Sequence, residues 1–251
     1  MGTQLQKKIS IITVVFNGEK YIEDAIYSVI SQKSKEIEYI IIDGKSSDST
    51  LTIAKKYAKD IDIIISEPDK GLYDAMNKGW KIASGEYIAF LNSDDFYLPD
   101  MLESVLECTN EKPNVIVANT LIQDCNGVRI KFKRCKNKSE YKLHLRLPFM
   151  HPSVFIKKEI IAHFNGFNLK YKVAADCELL LKIINKNPTL KYTESHVVMR
   201  FGGISNTHYK LGRKEYKEIY LHNFGHKFKA WYGYIESILF FYLSRVIRVF
   251  K

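Results

Sequence analysis

The chain has 251 residues, 46% apolar and 26% charged, which excludes a disordered or fibrous protein and admits one large domain with or without an appendage. It carries 38 Lys and Arg against 28 Asp and Glu, a formal charge of +10, so its expected partners are anionic: nucleic acid, anionic lipid or phosphorylated small molecules. Cysteines 108, 125, 135 and 177 show no CxxC spacing, which argues against a zinc knuckle or a disulfide framework and for reduced thiols in a cytosolic chain.

The first residues, MGTQLQKKIS, lack the apolar core of a secretory leader. Residues 9–15 are β-branched and apolar, a buried strand. Residues 19–31 place Ile22, Ala25, Ile26, Val29 and Ile30 at helical spacing. The alternation continues with a strand at 39–42, a helix at 49–57, a strand at 61–65, a helix at 72–83, a strand at 87–91 and a helix at 98–108. Such alternation predicts an α/β fold, a mostly parallel central sheet flanked by helices. Beyond residue 112 the texture changes. Strands are expected at 115–122, 128–133 and 154–156, with Asn126-Gly127 as a hairpin turn, then a helix at 176–185.

Parallel sheets bind ligands beyond the carboxyl ends of their strands. Asn17, Asp43, Glu67 with Asp69, and Asp94 with Asp95 all follow strand ends. GxGxxG and GxxxxGK[ST] phosphate loops are both absent, which disfavours a dinucleotide dehydrogenase and a P-loop enzyme. In FLNSDD, residues 90–95, two neighbouring carboxylates close a buried strand. They are either a polar turn before the next helix or ligands for a divalent cation that relieves their repulsion. Asp43 can accept from a ribose or a base, and Gly44 allows an unusual backbone angle or close ligand approach. Asp74, Asn77 and Lys78 sit within one turn of a helix that also contains Gly79, whose cost in helix propensity points to tight packing.

IIDGKSSDST, SEPDKGLYDAMNKG and GEYIAFLNSDD, in this order and spacing, resemble family-2 glycosyltransferases of the GT-A fold, in particular the bacterial O-antigen and capsule sugar transferases. The likeness extends through MHPSVF at 150–155, GFN at 166–168, AADCEL at 174–179 and GGIS at 202–205, and so covers about residues 8–206. It implies a nucleotide-binding half at 1–112 and an acceptor half at 113–206; residues 207–251 fall outside it and are expected to form a basic, aromatic helical C-terminal extension. It further implies that Asp94-Asp95 is the DXD-type motif, with Asp95 on Mn2+ or Mg2+ and Asp94 nearer the ribose. Thr13, Val15, Asn17 and Glu19 would line the nucleotide pocket, with Asp43 and Asp74 at base or ribose. His151 would stand on the acceptor side, and His208 would complete the metal shell. In the resembling family the carboxylate at Asp176 is the general base of an inverting displacement, although a plain helix cap fits it too; Glu178 is the reserve. The QxxRW motif of processive synthases is missing, which implies one sugar per encounter.

The implied reaction moves a hexose from a UDP-sugar such as UDP-glucose to a glycan on a polyprenyl diphosphate. Residues 230–251 are aromatic and basic, too short an apolar run to span a bilayer, and suit either an interfacial helix on the inner leaflet or packing against a sister chain in a homodimer. The alternatives are a sugar-1-phosphate nucleotidyltransferase, for which VVFNGEK is a poor match, and a basic nucleic-acid-binding protein. The acidic ligand edge opposes the second, so no nucleic-acid partner is expected.

Overall fold

The computed structural model describes residues 7–124, 127–133 and 149–224. Asn126 of the expected hairpin, Cys125, Cys135 and the segment 230–251 lie outside them. Among the described residues, β1 (Ile9–Val15), β2 (Ile37–Asp43), β3 (Ile63–Ser66) and β4 (Tyr87–Phe90) alternate with α1 (Ile22–Ile30), α2 (Thr50–Lys56) and α3 (Leu72–Ile82). They are followed by β5 (Phe96–Tyr97), α4 (Met101–Thr109), β6 (Val115–Gln123), β7 (Arg129–Lys133), a 3-10 turn at His151–Ser153, β8 (Val154–Lys157) and α5 (Lys158–His163). The last elements are α6 (Ala175–Asn185), β9 (Leu190–Arg200), α7 (Ile204–Thr207) and α8 (Tyr209–Phe224), the last inside the expected helical extension.

One sheet runs in the order β3-β2-β1-β4-β8-β6-β9-β5, with β7 beside β6. The strands β3, β2, β1 and β4 are parallel. The sheet turns mixed at β8, antiparallel to both β4 and β6, while β9 runs parallel to β6. The register sets Val15 opposite Asp43 and Asp43 opposite Ser66, so the polar strand ends stand side by side.

All seven residues of β1 and of β2 are buried, because helices cover both faces. Alternation along β1 divides the core. Ile12 and Val14 join Ile40, Tyr73, Met76, Trp80 and Leu180 on one face; Ile9, Ile11 and Val15 join Ile26, Val29, Met101 and Val105 on the other. A Cβ at Gly79 would stand 2.6 Å from Ile12 Cγ2. The helical glycine is therefore a packing requirement: α3 crosses the sheet too closely for a side chain.

Three elements depart from the sequence reading. The helix expected at 98–108 begins only at Met101, after Asp100 in a left-handed conformation (φ 64°). Phe96 and Tyr97 are instead drawn into β5 by pairing with Val198 and Val197 of β9. β9 itself escaped notice because LKYTESHVVMR mixes charge with apolar residues, and its register comes from long-range pairing along β6 rather than from a local pattern.

Candidate functional site

The carboxyl ends of β1 to β4 form the edge that the sequence marks as polar. Asp43 is buried, and its carboxylate accepts from Ser46 N–H and Oγ and from Ser66 Oγ at 2.6 Å, so it ties the β2 and β3 loops together. Asn17, at φ 51°, accepts from Ser47 N–H at 2.9 Å, and Glu19 accepts from Ser49 N–H at 2.8 Å. These two side chains hold the 46–49 loop against the end of β1. Asp48 Oδ1 accepts from the N–H of Thr50, the first residue of α2, at 3.0 Å. A Cβ on Gly44 would meet Asp69 Oδ2 at 2.5 Å, so the close approach that this glycine allows is to a neighbouring carboxylate.

The acid pair is asymmetric. Asp95 is 2% exposed; its Oδ2 accepts from Asn92 Nδ2 at 2.9 Å and its Oδ1 from Arg200 N–H at 3.1 Å. Burial, and then the charge of Asp94, push its carboxyl up to about 8. Asp94 is only partly buried, its carboxyl also raised by burial, and a Cβ on Gly203 would lie 3.3 Å from its Oδ2. Arg200 binds the unit together. Its Nη1 donates to Asp94 O at 3.0 Å, its Nη2 to Asp24 Oδ2 at 2.6 Å, and its guanidinium lies 4.6 Å over the Tyr21 ring and 4.7 Å over the Phe96 ring.

A second cluster sits beside the first turn of α3. Asp176, in the first turn of α6, accepts from Tyr73 Oη at 2.8 Å, and the same hydroxyl lies 2.8 Å from Val173 O. The Tyr73 phenol is pushed well up by burial and then by the Asp176 charge, which keeps it a donor. Tyr73 stacks on Phe167 at 5.5 Å, and the Phe167 edge meets Phe90 and His151. His151 is 8% exposed and stacks on Phe90 at the end of β4. Burial holds its imidazole below the usual range, opposed by the nearby Asp176 carboxylate. Its Nε2 is buried without a hydrogen-bond partner. A buried neutral nitrogen beside a carboxylate at a strand-end edge is a candidate contact for a ligand hydroxyl.

The remaining expected site residues are placed as follows. Asp95, expected to face the cation, accepts one protein hydrogen bond at each oxygen, and the more exposed carboxylate of the pair is that of Asp94. Thr13 is fully buried with its hydroxyl 3.1 Å from Tyr39 Oη, and the Val15 side chain packs in the core. Asn77 is committed to the protein interior: Nδ2 donates to Phe167 O at 2.8 Å, and Oδ1 accepts from Phe167 N–H and Trp80 Nε1. Asp74 accepts from Lys70 N–H at 3.0 Å and helps close the turn that starts α3. His208 is exposed and paired with Thr207 Oγ1, and among the described residues no three His, Cys, Asp or Glu side chains are grouped so as to hold a metal ion. Glu178 turns away from Asp176, bonded to Lys182 Nζ at 2.6 Å. Tyr73 and Arg200 escaped sequence reasoning. Tyr73 is masked as a helical core residue, and Arg200 ends an unassigned strand.

The model of glycosyl transferase family 2 matches residues 10–174. A PGL/p-HBAD biosynthesis glycosyltransferase of Mycobacterium tuberculosis is 30% identical over 207 residues, 79% of this chain and 79% of that protein. In fold, the chain is similar to S. aureus TarS 1-349 in complex with UDP-GlcNAc, with a TM-score of 0.67 and 20% identity over 85% of this chain and 66% of that one. It is also similar to the mannosyltransferase PcManGT from Pyrobaculum calidifontis in complex with GDP-Man and Mn2+, with a TM-score of 0.65 and 15% identity over 86% of this chain and 64% of that one. The chain thus spans about two thirds of the length of these solved proteins, and at such identities the likeness concerns the GT-A architecture alone. Together with the strand-end acids, the family match over most of the sheet leads to one conclusion: this chain is a glycosyltransferase and belongs to glycosyl transferase family 2.

Proposed function

We propose that the chain transfers one hexose from a UDP-sugar to a hydroxyl of a lipid-linked glycan in bacterial surface polysaccharide or glycolipid synthesis, with inversion at C1. The observation that supports this reading is that Asp94 follows the end of β4 while Asp176 is bonded to the helix that joins β3 to β4 of the same sheet. The donor nucleotide would lie along the ends of β1 to β3, where Asp43, Asn17 and Glu19 organise the loops. The acceptor would approach from the side of His151, Phe167 and Asp176.

The residues present fit a hard divalent cation. Asp94 offers one accessible carboxylate, and Mg2+ or Mn2+ in nucleotide sites commonly takes one or two carboxylates plus diphosphate oxygens and water. Bound there, the cation supplies positive charge to the departing diphosphate. Asp95, pinned by Asn92 and Arg200, fixes the turn that aims Asp94. Asp176 takes the proton of the acceptor hydroxyl as its oxygen bonds to C1, and the C1–O bond to the diphosphate breaks on the opposite face. His151 Nε2 accepts from a neighbouring acceptor hydroxyl and orients it. No helix among the described residues is long and apolar enough to cross a membrane. The acceptor lipid is met, in this reading, by the 230–251 segment at the inner leaflet.

Nucleoside diphosphate titrations by calorimetry, with and without Mn2+, test the scheme. The expected result is UDP binding that tightens at least tenfold with Mn2+, a gain lost in Asp94→Ala. Equal affinities with and without the cation, or an Asp94→Ala variant that keeps the gain, would overturn it.

A further inference from the structure

The C-terminal helix α8 reaches back to the loop that carries Asp176. Glu215, 7% exposed, receives three successive backbone N–H groups: Lys172 N donates to Oε1 at 2.8 Å, and Val173 N and Ala174 N donate to Oε2 at 2.9 and 3.0 Å. Ala174 is the N-cap residue just before α6, two positions before Asp176. The same loop is tied to α8 from outside by the Lys170–Glu218 ion pair, and from above by Gly212, where a Cβ would stand 3.0 Å from Val173 Cγ1. Ile219 and Tyr220 anchor α8 in the core that also contains Leu179 and Leu180 of α6. On its other side the loop meets Tyr73, whose hydroxyl lies against both Val173 O and Asp176 Oδ1.

We propose that Glu215 is a positioning residue for the reaction: α8 holds the 172–174 backbone so that Asp176 stands where the acceptor oxygen attacks. A buried carboxylate is a costly way to hold a loop in place unless it is fully hydrogen-bonded, and here three amides converge on it. Charge-assisted bonds to consecutive amides fix the backbone itself, so the direction in which α6 starts is set from a helix lying outside the family match at 10–174. A base displaced by a fraction of an ångström loses rate without losing donor affinity. This inference rests on the reading of Asp176 as the base, but its structural half does not.

The experiment uses the full chain with Glu215→Gln and Gly212→Ala. Glu215→Gln keeps the shape and sets an NH2 against backbone donors. Gly212→Ala keeps the carboxylate, raises helix propensity and presses on Val173. The expected result for Glu215→Gln is a kcat about ten- to a hundredfold lower, a donor KM and UDP affinity within twofold of the parent, and faster hydrogen exchange at amides 172–174. Gly212→Ala should be at least as heat-stable as the parent yet about two- to fivefold slower. Unchanged exchange at 172–174, or an unchanged kcat in Glu215→Gln, overturns the proposal, as does a parallel loss of kcat and UDP affinity. If the unaltered protein transfers no sugar, the functional reading falls, while the exchange rates still decide whether Glu215 organises the loop.

Discussion

The two sides of the sheet edge are built differently. At the ends of β1 and β2, on the proposed donor side, each polar group has partners within some 30 residues: Asp43 with Ser46 and Ser66, Asn17 with Ser47, Glu19 with Ser49; the acid pair after β4 is the exception, with Asp95 tied to Arg200 across 105. On the acceptor side, Asp176 is bonded to Tyr73 across 103 residues, and the loop before it to Glu215 across 41 to 43. Short-range bonds make a pocket that forms with its own strand-helix units. Long-range bonds set a proposed base that is placed correctly only when α3, α6 and α8 are docked together. Damage to the donor side should therefore be local, and damage to the acceptor side should act on rate while nucleotide binding survives.

The largest effect should come from removing the proposed base. Asp176→Asn keeps the shape and an acceptor for Tyr73 but cannot take a proton. It should lower kcat by about 10³-fold or more, with UDP affinity unchanged. A loss of UDP binding in this variant would erase the distinction between the two sides. Next is the seam beneath the donor side. Gly79→Val places a side chain 2.6 Å from Ile12 Cγ2, and overpacking of this kind costs about 1–3 kcal/mol, read as a lower midpoint in urea. Gly79 touches Ile12 and not α6, so the folded fraction should keep the parent's ratio of kcat to UDP affinity.

Much of the donor side is legible in the chain because its signals are local. Apolar runs of period two, helices of period 3.6 and acids at strand ends all fall within short windows, and β1 to β4 emerge close to their true bounds. The direction of side chains is not legible. Asp94 and Asp95 are adjacent in sequence, and only the pairing of β5 with β9, which brings Arg200 N–H to Asp95, decides which acid is pinned and which is open. Asn77 reads as a ligand contact for the same reason, since its partners Phe167 and Trp80 become visible only when α3 docks. The family resemblance supplied Asp176, but neither Tyr73 nor Glu215 carries a sequence signal that separates it from ordinary core and helix residues.

A milder intervention sharpens the comparison. Tyr73→Phe removes the hydroxyl between Val173 O and Asp176 while leaving the ring on Phe167. One hydrogen bond to a charged group is worth about 1.5–3 kcal/mol, so kcat should fall about ten- to a hundredfold with donor KM constant. An equal rise in donor KM would mean that the α3 turn serves the nucleotide instead.

The smallest expected effect is a pH dependence of stability from His151. Its imidazole is held neutral by burial, with a folded value below the ordinary one near 6.5. As pH falls through that ordinary value the unfolded chain gains a proton that the folded chain does not, so the unfolded state is favoured. This contribution is fully present above about pH 6.5 and is lost progressively as pH drops toward the depressed folded value, at most about 1.4 kcal/mol per pH unit for one proton. His151→Gln has no such proton to gain. Urea denaturation from pH 7 to pH 5 should therefore give a flatter loss of stability in the variant than in the parent, whatever its offset from lost stacking on Phe90. Parallel slopes would mean that the imidazole titrates freely, and that its unpartnered nitrogen already meets water rather than waiting for an acceptor hydroxyl.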